Sequence, residues 1–224
     1  MKILHSSDLH GQLDTLIKAL KDPTIEIWVD TGDFFPNATR GDRNVEESLQ
    51  RMWFKDHPKI RRLLDVLGGR PAITIPGNHD YVHLAELLGE RGNWSSYEID
   101  LMSLHVNSMV WAGFRSIPFI AGEWNGEERE DVIAGQIEAV LQQKPDVLVT
   151  HCPPAGILDL GYGNRYGSTA IVSALAYKEH TIQYHLFGHI HQSGGEMVEK
   201  MGIKFYNNAT KCSVIDLVLK GTNE

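Results

Sequence analysis

Cysteine is scarce in this chain, with Cys152 and Cys212 the two examples in 224 residues. Two thiols cannot build a disulfide framework, so the fold must rest on a buried apolar core. Long apolar runs are missing as well. No stretch approaches the ~20 residues that a bilayer-spanning helix needs. The N-terminus, Met-Lys-Ile-Leu-His-Ser-Ser-Asp, lacks the extended apolar segment of a secretory signal. Positive charge is in the minority, 21 Lys and Arg against 29 Asp and Glu, for a formal charge of −8. A protein that grips long nucleic acid needs a basic footprint, so no duplex partner is expected. Low-complexity segments, heptads and short repeats do not occur either. These absences predict one soluble, cytoplasmic domain over residues 1–224, with no membrane association.

Hydrophobic residues make up 42% of the chain and charged residues 22%, the balance of an ordinary globular protein. Met1–Ser6 reads as a strand, followed by an amphipathic helix over Leu13–Leu20 with Leu13, Leu16, Ile17 and Leu20 on one face. Thr24–Val29 and Ala72–Ile75 are further strands, separated by a helical stretch, Val45–Leu67, that Pro58 divides. A helix continues at Leu84–Leu88. Strands and turns are expected over Trp94–Asn107 and Met109–Arg115, a helix over Glu127–Gln143, a buried strand at Asp146–Thr150 and a helix at Thr169–Tyr177. Tyr184–Phe187 is a short strand. A hairpin of Glu196–Lys200 with Lys204–Tyr206, and a last strand at Ser213–Leu219, close the pattern. Strands alternating with helices, then a strand-rich end, predict an α/β layered sandwich.

Polar residues gather where the strands stop. The first strand gives Asp8-Leu9-His10-Gly11, the second Asp30-Thr31-Gly32-Asp33, the third Gly77-Asn78-His79-Asp80. Asp146–Thr150 runs into His151-Cys152-Pro153-Pro154, and Tyr184–Phe187 into Gly188-His189-Ile190-His191. In open α/β sheets, ligands bind beyond the carboxyl ends of the strands, so the five loops should meet on one rim. Carboxylate, carboxamide and imidazole donors together suit Mn²⁺, Fe or Zn²⁺. Each piece alone has an ordinary explanation: Gly-Asp is a common turn, and a lone buried histidine is commonly a satisfied core residue. All five in this order are not explained that way.

These motifs resemble those of the calcineurin-like metallophosphoesterase superfamily: Asp-x-His, Gly-Asp, Gly-Asn-His-Asp, a later His, and Gly-His-x-His. The likeness runs from Asp8 to His191. It implies a four-layer α-β-β-α sandwich and a centre of two divalent metal ions, Mn²⁺ first, with Fe or Zn²⁺ as alternatives. Carried over by position, Asp8, His10 and His191 would hold one metal, and Asn78, His151 and His189 the other. Asp33 would bridge them. His79 matches the family's histidine that approaches the leaving group, and Asn78 and His79 would contact substrate. The run from Thr150 to Asp159, with Gly167-Ser168 and Asn207-Asn208-Ala209-Thr210, is similar to the small metallophosphoesterase-domain phosphodiesterases. Cys152 stands where that branch often has glycine and reads as a packing variant.

The resemblance implies hydrolysis of a small phosphorylated substrate, a phosphodiester of nucleotide or cyclic-nucleotide type, by a metal-bridging hydroxide with His79 as general acid. The alternatives are a phosphomonoesterase or nucleotidase on the same site, or a non-enzymatic metal-binding scaffold. One departure stands out. Protein phosphatases of the superfamily follow Gly-Asp with two residues and Asp-Arg-Gly, but here Phe34-Phe35-Pro36-Asn37 follows. What orients His79 is left open by that departure, with Asp80 and Asp42 as candidates. Arg40, Arg43 and Arg165 flank the motifs and could hold a distal phosphate or base, although solvated surface arginines are the commoner case. Trp124 and Tyr162 could stack on a base, but loop aromatics commonly pack locally and neither is assigned a role.

Overall fold

The computed structural model describes residues 1–36, 42–122 and 124–218. Its principal strands are β1 (Lys2–Ser7), β2 (Ile27–Asp30), β3 (Ala72–Thr74), β4 (Ser96–Glu98), β5 (Ser103–Val106), β6 (Met109–Phe114), β7 (Val147–Thr150), β8 (Tyr184–Phe187), β9 (Glu196–Lys200), β10 (Ile203–Asn207) and β11 (Lys211–Asp216). The helices are α1 (Asp14–Ala19), α2 (Arg43–Asp56), α3 (Pro58–Leu67), α4 (Leu84–Glu90), α5 (Glu130–Gln142) and α6 (Thr169–Tyr177).

Two sheets result. The first has the order β11-β1-β2-β3-β4, parallel from β1 to β4, with β11 antiparallel against β1. The second has the order β9-β10-β8-β7-β6-β5, parallel from β10 to β6, with an antiparallel strand on each edge. Parallel strands buried on both faces read as continuous apolar runs, and this is the character of Ile27-Trp28-Val29 and Val147-Leu148-Val149.

Side chains alternate across each strand, which sorts the apolar residues into three layers. Ile3, Ile27, Val29 and Ile73 of the first sheet meet Trp111, Val147, Val149, Tyr184 and Leu186 of the second, so the sheets pack face to face. Leu4, Trp28 and Ala72 point the other way, onto α1, α2, α3 and α4. On the far side Ala112, Leu148, Phe187 and Phe205 pack against α5 and α6. Helices, sheet, sheet and helices make four layers, as the resemblance implies.

Local chemistry sets the boundaries. Pro58 opens α3 at its first turn, where a missing amide costs nothing, and the His57 side chain accepts from Lys59 N. The helix expected from Glu127 starts instead at Glu130, because Glu127–Glu128 pairs with Ile117–Pro118 in a short parallel ladder. Ser168 caps α6, and the Glu130 carboxylate accepts from the amides of Thr169 and Ala170 there. No helix among the described residues is long and apolar enough to cross a membrane.

Candidate metal centre

The parallel strands β1, β2, β3, β7 and β8 run side by side within their sheets and end on one rim. Each delivers its polar segment there. The β1 and β2 loops are stitched together: Asp8 N donates to Gly32 O at 2.8 Å, His10 N to Asp33 O at 2.9 Å and Gly11 N to Phe34 O at 2.9 Å. To make those turns, Asp8, His10, Asp33 and His189 adopt φ of +53°, +45°, +57° and +67°. Non-glycine residues visit this region at a cost and cluster at functional sites. Four of the seven expected ligands hold such a conformation.

Asp8, His10 and His191 bring donor atoms within 4.8 Å of one another, and so do Asp8, Asp33 and His151. The two groups share Asp8. Around them, Asp8 Oδ1 lies 3.1 Å from His191 Nε2, and Asp8 Oδ2 accepts from Ser7 Oγ at 2.6 Å and His189 N at 2.8 Å. The His151 ring sits 5.0 Å from that of His189. Asn78 joins through its Oδ1, 3.0 Å from His151 Nε2, with Asp33 Oδ2 at 3.5 Å from the same nitrogen. All seven expected ligands are therefore in one place.

The chemistry of this donor set fits a cation. His151 Nδ1 is 2.7 Å from Thr31 O and donates to it, so in the neutral ring the lone pair is on Nε2. In the neutral ring that lone pair faces the oxygens of Asn78 and Asp33, a place that a proton or a bound cation fills. Burial alone would lower the His151 pKa, but the Asp33 and Asp8 carboxylates outweigh it and raise it to about 10. Burial likewise works against the Asp8 charge, yet its hydrogen bond to His191 and the charge of His151 hold it below the usual carboxylate range. His10 Nδ1 is buried and has no hydrogen-bond partner among the described residues.

His79 lies beside this cluster. Its amide donates to Asp33 Oδ1 at 2.7 Å, and its Nε2 is 3.9 Å from Asp33 Oδ2. The ring stands edge-on to His10 with centroids 5.1 Å apart, and packs against Trp124 at 4.3 Å. Burial lowers its pKa from the ordinary value, with Asp33 pulling the other way.

Asp80, one of the two candidates to orient His79, is engaged with main-chain amides instead. Its carboxylate accepts from the amides of Asp33, Phe34, Phe35 and Gly77 at 2.7–3.3 Å. Both oxygens are taken up by main chain, so Asp80 ties the β2 loop to the β3 loop and leaves the His79 ring to Trp124 and Asp33. Asp42 caps α2 by accepting from Asn44 N at 2.8 Å. Arg43 lines a second cavity of about 500 Å³ with Arg115 and Asn125, which shares Trp124 with the one beside the candidate ligands. Arg165 is paired with Asp159 at 2.5 Å. Arg40 lies outside the described residues. The Cys152 thiol is fully buried, which pushes its pKa well up and removes it as a nucleophile.

Two side chains that the sequence reading passed over fix the His79 segment. Gln50 of α2, buried at 1% exposure, donates Nε2 to His79 O at 2.6 Å and accepts from Tyr81 N at 2.8 Å. Asn125 donates its side-chain amide to Asp80 O and its main-chain amide to Asn78 O, at 2.5 and 3.2 Å. A signal for Gln50 existed: it falls four residues before Phe54 on the buried face of α2. Asn125 sits in a loop and gave none.

Known proteins are similar to this chain in sequence and in fold. The chain is 25% identical over 209 residues to an uncharacterized protein of Methanocaldococcus jannaschii, covering 90% of this chain and 84% of that one. Its fold is similar to the crystal structure of TT1561 of Thermus thermophilus, with a TM-score of 0.61 at 15% identity, covering 96% and 98% of the two chains. It is also similar to a dimetal phosphatase from Danio rerio, with a TM-score of 0.57 at 12% identity, covering 92% and 86%. The family of calcineurin-like phosphoesterases, which implies divalent metal ions, matches residues 1–193. A four-layer sandwich, its rim of convergent ligands and that match together show that this chain belongs to the calcineurin-like phosphoesterase family and is a phosphoric ester hydrolase.

Proposed function

We propose that the chain hydrolyses a phosphodiester of nucleotide or cyclic-nucleotide type with two divalent cations, Mn²⁺ first. The observation that supports a two-ion centre is the pair of adjacent ligand groups, Asp8 with His10 and His191, and Asp8 with Asp33 and His151. The diester preference rests on the likeness of the Thr150–Asp159 run to the small phosphodiesterases. Asp8, His10 and His191 would hold one ion and Asn78, His151 and His189 the other, with Asp33 between them. When bound, such ions supply Lewis acidity at the phosphoryl oxygens and a water acidified toward neutrality.

The chain's own residues do the rest. Thr31 O holds His151 by Nδ1, which fixes the tautomer that a metal ligand needs. Asn78 presents its amide to a non-bridging phosphoryl oxygen. His79 delivers a proton to the leaving oxygen from its place between Trp124 and His10. A phosphate anion beside its ring would favour the charged form that this role requires, offsetting the effect of burial.

The test is hydrolysis of bis-p-nitrophenyl phosphate and p-nitrophenyl phosphate by metal-stripped protein reloaded with Mn²⁺. Metal-dependent turnover of the diester above that of the monoester supports the reading. Monoester preference moves it to a phosphatase or nucleotidase. No turnover of either, with two metals bound, overturns it.

A further inference from the structure

A cavity of about 390 Å³ opens over the candidate metal centre. It is lined by the candidate ligands Asp8, Asp33, Asn78, His189 and His191 with His79, and also by Ile120, Trp124, Tyr162, Tyr166, Ile190 and Gln192. Ile120, Trp124, Tyr162, Tyr166 and Ile190 thus give the cavity an apolar and aromatic wall beside the candidate ligands, with Trp124 packed on His79.

Tyr162 stands out within that wall. Leu160–Gly161 and Asn164–Arg165 form a small antiparallel ladder, closed by the two-residue turn Tyr162-Gly163. Both turn residues have positive φ, +49° and +81°. Such turns favour Asn, Asp or Gly, because a bulky side chain is strained in the left-handed region. A tyrosine here gains nothing from burial, since it is 84% exposed. Turn chemistry and core packing both fail to account for it.

The hairpin is held in place. Arg165 pairs with Asp159, and Tyr166 N donates to Asp159 O at 3.1 Å. Gly161 packs so closely on the loop after β8 that a Cβ there would lie 2.9 Å from Gln192 Oε1 and 3.4 Å from Ile190 Cγ2. The turn bearing Tyr162 is therefore docked on the same loop that carries His189 and His191.

We infer that Tyr162, with Ile120 and Trp124, forms a subsite for an aromatic group on the phosphate ester. Apolar pocket walls with a few polar groups at one end are the usual form of a small-molecule site, and ring stacking tolerates any flat partner. A nucleobase and a simple aryl ester share this chemistry. The inference rests on the phosphodiesterase reading for the identity of the metal end, but its test does not depend on turnover.

The experiment measures binding of phenylphosphonate, thymidine 5′-monophosphate and methylphosphonate to Mn²⁺-loaded protein by titration calorimetry. The two aromatic ligands are expected to bind on the order of tenfold more tightly than methylphosphonate. Tyr162→Ser should reduce that gap to about threefold or less, and Tyr162→Phe should retain it. Thymidine 5′-monophosphate ahead of phenylphosphonate assigns the subsite to a base; equal affinities assign it to any aryl group. Equal binding of all three, or a gap untouched by Tyr162→Ser, overturns the subsite even where diester hydrolysis stands. An intact aromatic preference in a protein that turns over no ester would instead leave the subsite and remove the reaction.

Discussion

The main-chain amide of Asp33 donates to the Asp80 carboxylate at 2.7 Å, joining two loops whose residues are 47 positions apart. Three more amides, from Phe34, Phe35 and Gly77, share that carboxylate. Asp80→Ala would leave these buried donors without an acceptor, at ~1–3 kcal/mol each before water fills part of the gap. Chemical denaturation should show a loss of about 3–5 kcal/mol, because not all four costs are realised together. Asp80→Asn keeps one oxygen where three of the four donors point and should lose about 1–2 kcal/mol. Equal losses for the two variants would show that the amide network is not what Asp80 supplies.

The place of the candidate site was legible in the sequence because its polar segments follow buried strands, while the roles of single residues in it came from the family resemblance. Apolar runs such as Val147–Thr150 and Tyr184–Phe187 announce a strand, and the next polar residues must lie on the sheet rim. What was not legible depends on contacts between distant segments. Asp80 sits inside the Gly-Asn-His-Asp motif, and the motif alone does not say that its carboxylate turns to Asp33 and Phe35 rather than His79. Glu127 reads as the start of a helix until Ile117 is known to pair with it. Trp124 became a neighbour of His79 through the path of a loop, which no periodicity encodes.

Gln50 bridges the carbonyl of His79 and the amide of Tyr81, so it sets where the His79 ring starts from. It touches no reacting atom and acts as a positioning residue. In Gln50→Leu, both metals should stay bound by mass spectrometric analysis, because the ligand side chains are untouched. Small misplacements of a catalytic group cost up to ~10²-fold, so kcat on an alkyl diester should fall about 10- to 100-fold with KM little changed. The fall should be smaller on p-nitrophenyl esters, where proton delivery matters less. A uniform loss across leaving groups would mark a general structural defect.

Gly188 separates β8 from the His189 loop at a point where a side chain has no room. A Cβ there would lie 1.9 Å from Ser7 Oγ and 2.3 Å from Asp8 Oδ2. Asp8 cannot step aside without giving up His191 and the amide of His189. Gly188→Ala should therefore bind less than half the metal of the wild type and melt at a lower temperature. Gly135, in the middle of α5, offers the control: nothing lies within 4 Å of its added Cβ. Gly135→Ala should leave metal content alone and stabilise the fold by roughly 0.5–1 kcal/mol, the usual gain for alanine in a helix. Loss of metal in both variants would point away from the contact with Asp8.

His79 is distinguished from the ligands by where its polar atoms go. Its amide is held by Asp33, its carbonyl by Gln50, and its ring lies between His10 and Trp124 rather than within either ligand group. A residue so placed can be removed without emptying the centre, whereas Asp33→Ala strips a charge from the middle of it. Asp33→Ala should lose metal and nearly all turnover. His79→Ala should retain both metals and lose ~10²–10⁴-fold in kcat on a diester with an alkoxide leaving group, which departs only when protonated. On p-nitrophenyl esters, whose oxyanion leaves without a proton, the same variant should lose much less. Equal losses on the two substrates, with metals still bound, would assign His79 to holding the phosphate and not to donating the proton.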